Sequence, residues 1–226
     1  MIVILGLSVL AVLGWLNRDN LAPSAVLEWI QGRVVGMGVG DGYPYSIAGT
    51  SVRPKNFLSS DKNICFAGNT AFTILNPTAK ELVSRQHSLS IPVLKLGGGR
   101  ALLYNLGGRG CQVEGMGKTI ARFNASGDVI AGAVARRGGY ALLTEADGYC
   151  GELTTYTSGG QAQFHYWFSD YYPTAVALSP DGSRAAVAGV NAKGGEIVSA
   201  VYLLDLNVGQ AQKPITVSEG NLLFDA

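Results

Sequence analysis

Histidine occurs twice and cysteine three times among 226 residues, and only 15% of the chain is charged. Each scarcity removes a class of function. Cys65, Cys111 and Cys150 are too few and too widely spaced for a zinc site or a disulfide framework. Cys111 and Cys150 hold similar places in successive repeats and could pair across them. Burial as small apolar thiols is the simpler reading. His87 sits in the polar connector Arg85-Gln-His-Ser88, and His165 alternates with Phe164, Tyr166 and Trp167 on an expected outer strand. Neither has a Cys, a second His or a carboxylate at ligand spacing, so no metal site is assigned. A hydrolytic triad needs a base histidine with a nucleophile and an orienting acid, and no Gly-x-Ser-x-Gly elbow occurs. No catalytic residue is assigned.

Charge excludes a further partner. The net charge is +1, and the 17 basic residues are scattered, with Arg136-Arg137 as the densest pair. That is no electrostatic footprint for nucleic acid. Quinone-dependent oxidoreductases find no support, since the chain has no vicinal cysteine pair and no repeated Trp docking motif. Calcium at Asp147-Gly148 or Asp181-Gly182 would need several more acidic oxygens at fixed spacing, and both pairs read as turns. Asn124-Ala-Ser126 has the form of a glycosylation acceptor, a motif too short to carry an assignment by itself. No cofactor is expected.

Apolar residues, by contrast, make up 47% of the chain, and glycine occurs 31 times. The stretch Ile2 to Leu16, IVILGLSVLAVLGWL, has no charge, and Trp15 stands just before Asn17-Arg18-Asp19. Such a segment inserts into a membrane with its aromatic at the interface. It is shorter than the about 20 residues of a full span, and it lacks the basic start and small-residue cleavage site of a signal peptide. Residues 1–16 are therefore expected to be a membrane anchor, possessing no charge pattern that sets its orientation. Residues 17–42 read as a linker. Within it Pro23 opens a short amphipathic helix, Ser24 to Gln31, and Gly36, Gly38, Gly40 and Gly42 follow as a flexible hinge. The spacing in GMGVGDG is not the dinucleotide fingerprint.

From Tyr43 onward the helical period gives way to short alternating runs. Three strand-turn-strand units superimpose, Val93 to Tyr104, Ala131 to Thr144 and Ala175 to Ala188, and Asn63-Ile-Cys-Phe-Ala67 matches one step upstream. Aligning Ala101, Ala141 and Ala185 gives steps of 40 and 44 residues. Four-stranded propeller blades have periods of about 40–45 residues. The rest of each unit supplies an outer pair, Glu152 to Tyr156 with Gln163 to Phe168, and Ile197 to Leu206 with Pro214 to Val217. Small Ala, Gly and Val suit the crowded inner strands, and Tyr, Trp and Phe suit the widening outer ones. In Pro180-Asp181-Gly182, proline sets φ, aspartate bonds back to the backbone, and glycine takes φ > 0. A sandwich would not repeat the same small-residue hairpin at this interval.

The fold class is thus all-β, a β-propeller over residues 43–226, with about four blades including a partial first one. Asn221-Leu-Leu-Phe-Asp-Ala226 reads as the start of another inner strand, since Leu222 follows Val176 by 46 residues. The ring is expected to be C-terminally incomplete, with roughly another 120–180 residues in the natural reading frame.

The stretch Thr174 to Ala188, Thr-Ala-Val-Ala-Leu-Ser-Pro-Asp-Gly-Ser-Arg-Ala-Ala-Val-Ala, resembles the inner hairpin of WD-repeat-like bacterial propellers. The ordered set of the anchor, Leu21 to Gln31 with Trp29, Gly40-Asp-Gly-Tyr-Pro44, Ile130 to Ala135 with Gly139 to Thr144, and the Pro-Asp-Gly hairpin is similar to a family of membrane-anchored propellers of Firmicutes, a domain of unknown function. The resemblance covers nearly the whole chain. It implies a propeller outside the cytoplasmic membrane and implies no activity.

Interaction-prone residues concentrate in Phe164, Tyr166, Trp167, Phe168, Tyr171 and Tyr172. Alternation turns half of them inward. The remainder, with Asp170, Tyr171 and Tyr172 before the next inner strand, form the candidate partner-binding residues. The expected function is that of an extracytoplasmic binding or scaffolding module, fixed to the cell membrane by one helix, for a protein or a cell-envelope glycan. The alternative is a propeller enzyme, a hydrolase or lyase, whose active residues lie in missing blades.

Overall fold

The computed structural model describes residues 38–60, 62–208 and 215–217. The anchor expected at 1–16, the amphipathic helix at 24–31 and the strand expected at 221–226 lie outside them. Among the described residues no helix is long and apolar enough to cross a membrane. The described residues form four antiparallel four-stranded sheets, each with its strands in chain order. The first holds β1 (Val52–Ser60), β2 (Asn63–Gly68), β3 (Ala71–Leu75) and β4 (Glu81–Gln86). The second holds β5 (Pro92–Gly97), β6 (Arg100–Asn105), β7 (Gly110–Glu114) and β8 (Thr119–Asn124). The third holds β9 (Val129–Val134), β10 (Tyr140–Thr144), β11 (Gly151–Tyr156) and β12 (Ala162–Phe168). The fourth holds β13 (Tyr172–Leu178), β14 (Arg184–Lys193), β15 (Glu196–Asp205) and β16 (Ile215–Val217). The first blade, expected to be partial, has all four strands.

Successive sheets pack in chain order through their inner strands, β5 on β1 and β2, β9 on β5 and β6, and β13 on β9 and β10. Each junction has its own apolar cluster. Cys65, Ala67, Phe72 and Ile74 meet Leu94, Ala101 and Leu103 between the first two blades. Leu102, Tyr104 and Val113 meet Val129, Tyr140 and Leu142 at the next junction. Ala141, Leu143 and Leu153 meet Val176, Ala185, Val187 and Tyr202 at the last. A strand's side chains alternate between faces, so each middle blade is apolar on both.

Two polar clamps reinforce the junction between the first and second blades. The buried amide of Asn56 donates to the Pro92 carbonyl (2.7 Å) and accepts from the Leu94 N–H (3.0 Å), joining inner strand to inner strand. Farther out, the Arg85 guanidinium meets the buried Glu114 carboxylate at 2.5 Å and donates to the carbonyls of Gly115 and Met116. Thr119 and Gln112 donate to the other Glu114 oxygen. With its acceptors filled, this carboxylate tolerates burial; removing one partner would leave a charge unpaired.

The Pro180-Asp181-Gly182 turn forms as the sequence requires. Gly182 has φ of 74°, and the Asp181 carboxylate accepts from the hydroxyls of Ser179 (2.6 Å) and Ser183 (2.8 Å) and from the Ser183 N–H (3.2 Å). These bonds, first among them that from Ser179, hold its carboxyl down at about 2. The expected hinge differs from the structure at its end. Gly40 N–H bonds to Thr78 Oγ1 and Gly42 N–H to the Thr78 carbonyl, while the hydroxyls of Tyr43 and Tyr45 reach Asn76 and Glu81. Residues 40–45 are thereby tied to the β3–β4 turn.

The fourth blade turns its second face, with Ala177, Ala186 and Leu203 in register, away from the third. Leu203 is 42% exposed, whereas Leu143 is fully buried at the third junction. In urea unfolding, Leu143→Ala is expected to cost about 2–5 kcal/mol and Leu203→Ala less than about 1 kcal/mol. Equal losses would contradict the assignment of packed faces.

Candidate functional site

Three exposed aromatics surround one cleft of about 520 Å³ at the third blade. Trp167 of β12 is 48% exposed, Tyr149 of the β10–β11 turn 53%, and Tyr172 at the start of β13 59%. All three line the cleft with the acids Asp128, Glu145, Asp147 and Glu152 and with Arg109. The residues lie in or beside the connectors after the second and fourth strands of blades, which a meander places at one end of its sheets.

Local structure fixes the walls. The connector from β8 to β9 runs against the β10–β11 turn, with the Glu145 N–H bonded to the Asp128 carbonyl at 2.9 Å. At Gly127 the approach is so close that a Cβ would lie 2.0 Å from the Glu145 carbonyl oxygen. Any other residue there would force the two connectors apart. Ser126 then donates to Glu152 Oε2 (3.1 Å) and lies 3.3 Å from the Thr144 hydroxyl. The other Glu152 oxygen accepts from Thr154 (3.2 Å) and lies 2.8 Å from His165 Nδ1. His165 in turn stacks beside Trp167, with ring centroids 6.0 Å apart, and Tyr149 leans on Trp167 at 6.2 Å. The chain of contacts runs from the blade connector through a buried carboxylate to the exposed indole, so Trp167 is held by a fixed neighbour on each side.

The order of these groups decides their chemistry. In a hydrolytic triad the imidazole stands between serine and acid and takes the serine proton. Here the carboxylate stands between Ser126 and His165, and the serine hydroxyl points to that carboxylate. The arrangement positions side chains and does not activate a nucleophile. Among the described residues no group of three or more His, Cys, Asp or Glu side chains is arranged to hold a metal ion.

Of the sequence candidates, Tyr172 lines this cleft and Asp170 and Tyr171 do not. Tyr171 is only 2% exposed; its ring packs edge-on against Tyr202 at 6.1 Å and its hydroxyl accepts from Lys193 Nζ at 3.0 Å. Consecutive residues in extended chain point opposite ways, so one of the two tyrosines had to enter the core. Asp170 is exposed, and its carbonyl accepts from Asn191 Nδ2. Of the other aromatics, Phe164 and Phe168 are buried, and Tyr166 packs edge-on against Phe168 at 4.9 Å. His165, which has no carboxylate close by in the sequence, acquires one across the hairpin. The pairs Thr154↔His165 and Glu152↔Trp167 put all four side chains on one face of the sheet. Pairing the two alternating runs in that register would have revealed Glu152 and Trp167, whereas Arg109, Asp128 and Glu145 carry no local signal.

The three thiols are free. Burial pushes Cys65 up to about 11 and Cys111 to about 12, so neither is a thiolate at neutral pH. Cys150 donates to the Ser169 carbonyl at 3.4 Å.

Residues 44–222 match the model of a family described as "Family of unknown function (DUF5711)". No curated protein matches the chain. Among solved structures, the hydrazine synthase of Kuenenia stuttgartiensis superposes with a TM-score of 0.56 at 15% identity, over 78% of this chain and 53% of that one. The WD40 domain of Neurospora crassa Pan2 does so with a TM-score of 0.51 at 12% identity, over 71% and 51%. The tricorn protease gives 0.52 at 16% identity, over 75% and 18%. The chain spans about half the length of the first two. At these identities the likeness shows the fold, propeller-type blades of four strands.

His87 lies in the connector between the first two blades, half-buried, where its Nδ1 accepts from the Leu89 N–H. Burial holds its pKa below the ordinary value, against the opposing pull of a hydrogen bond to the Gly68 backbone. The unfolded chain therefore takes up this proton first as pH falls. The stabilisation is full above the unfolded value of about 6.5 and is lost below it. Urea unfolding should show a loss between pH 7 and pH 5 that is smaller in His87→Gln; an equal loss would rule out this histidine as its source.

Proposed function

Because the chain belongs to the DUF5711 family, whose function is unknown, we propose a role from its own residues: an extracytoplasmic binding module, held at the cell membrane by residues 1–16, that takes a cell-envelope glycan into the third-blade cleft. The observation that carries this reading is the exposure of Trp167, Tyr149 and Tyr172 around one polar cavity. Large rings left in water beside acceptors mark interaction sites on a soluble surface. A sugar ring offers an apolar face of C–H groups and an edge of hydroxyls. Flat aromatic walls match the face, and the carboxylates of Asp128, Glu145 and Asp147 accept from the edge.

A hydrolase or lyase finds less support, because Ser126 of the cleft and His165 behind it are separated by the Glu152 carboxylate that both of them contact. The membrane placement rests on the uncharged run Ile2 to Leu16 with Trp15 at its polar end. In cell fractionation the intact chain should sediment with membranes and be open to protease added outside the cell, and Val9→Arg should release it. Protection from that protease would reverse the orientation.

The cleft itself is tested by co-sedimentation of the full chain with purified cell-wall glycan. Trp167→Ala combined with Tyr172→Ala should weaken retention by about tenfold or more, since each stacked ring contributes about 0.5–1.5 kcal/mol beyond its buried area. Tyr171→Phe, which alters a buried ring, should leave retention unchanged. Undiminished retention by the double variant would overturn the assignment of the cleft.

A further inference from the structure

We infer that the glycan taken by this cleft carries free, positively charged amino groups, a selectivity that rests on the binding role proposed above. The cleft is lined by four carboxylates, Asp128, Glu145, Asp147 and Glu152, against the single guanidinium of Arg109. These acids are not equivalent. Glu152 is nearly buried and is bonded to Ser126, Thr154 and His165. Asp128 already faces Arg109, with Nε and Oδ1 3.5 Å apart and both side chains substantially exposed. The side chains of Glu145 and Asp147 have no partner among the described residues, and both are exposed on the β10–β11 turn.

Two unpaired carboxylates thus share a cavity with three aromatic faces, and each feature favours a cation independently. An ammonium gains from an anion a few ångströms away, and it gains again over an aromatic face through the ring quadrupole. A neutral acetamido sugar satisfies the rings and leaves the surplus charge unanswered. A uronic or phosphorylated sugar is repelled by it. The aromatic walls separate this site from a bare acidic patch, because they require a flat apolar surface in the same ligand. A saccharide bearing amines meets both demands in one unit.

Calorimetry on the full chain at about pH 6, where carboxylates are ionised, can compare three probes of equal length: a glucosamine oligomer, its N-acetylated counterpart and an oligolysine. The glucosamine oligomer should bind about tenfold or more tighter than the acetylated one, and the difference should shrink as salt is raised. In Glu145→Gln combined with Asp147→Asn the difference should vanish, while the urea unfolding midpoint stays at the wild-type value and so reports an intact fold; a difference that persists in this variant would overturn the role of the two carboxylates. Equal binding of the two saccharides by the wild-type chain would overturn the charge selectivity and leave the glycan reading standing. Binding of neither saccharide would overturn both. Oligolysine binding as tightly as the glucosamine oligomer would show that charge alone suffices, and would overturn the saccharide as the ligand.

Discussion

Each four-stranded sheet in this protein has apolar side chains on both of its faces, and no sheet can bury both by itself. The third blade makes the constraint plain. Tyr140 and Leu142 look one way along β10 and Ala141 and Leu143 look the other, all of them almost wholly removed from water. A two-sided apolar sheet is stable only when flanked, and the flanking sheets are the neighbouring repeats. Everything else follows from that stacking. The inner strands approach closely enough to need small residues, the outer strands spread and fill the wedge with rings, and the polar clamps at Asn56 and at Arg85 with Glu114 sit where two blades meet.

The same stacking makes the cleft. Its walls lie on or beside connectors that are distant in sequence, and they converge because consecutive meanders bring the turns after their second and fourth strands to one end of each sheet. Gly127 permits the closest of these approaches, and the Ser126 bond to Glu152 ties one blade's connector to the next blade's third strand. Trp167 then projects from a surface whose support reaches back into the blade junction. A face built this way is fixed by the core, and for the binding role proposed above that would lower the entropic cost of ordering it around a ligand.

One register detail shows how far a repeat can be trusted. Ala101, Ala141 and Ala185 align in the sequence, yet they do not occupy one face. Ala101 and Ala185 pack against the preceding blade, whereas Ala141 packs against the following one. The turns between first and second strands explain the difference. Gly98 and Gly99 alone separate the paired Gly97 and Arg100 in the second blade, while residues 135–139 separate the paired Val134 and Tyr140 in the third. A one-residue offset exchanges the two faces of a strand, and an apolar pattern on both faces conceals the exchange.

The sequence by itself determined the strand content, the four-strand repeat, the small inner and bulky outer residues and the Asp181 turn, because all of these depend on local composition and on a period of two. It also marked the aromatic cluster from which Trp167 and Tyr172 emerge. Only the tertiary structure decided which of Tyr171 and Tyr172 meets solvent, which face of each blade meets which neighbour, and that Glu152 lies beside His165. It alone assembled Arg109, Asp128, Glu145 and Trp167 around one cavity. Alternation states that two faces exist, and the choice between them is made by the sheet that packs there, through contacts between residues that the chain order keeps apart.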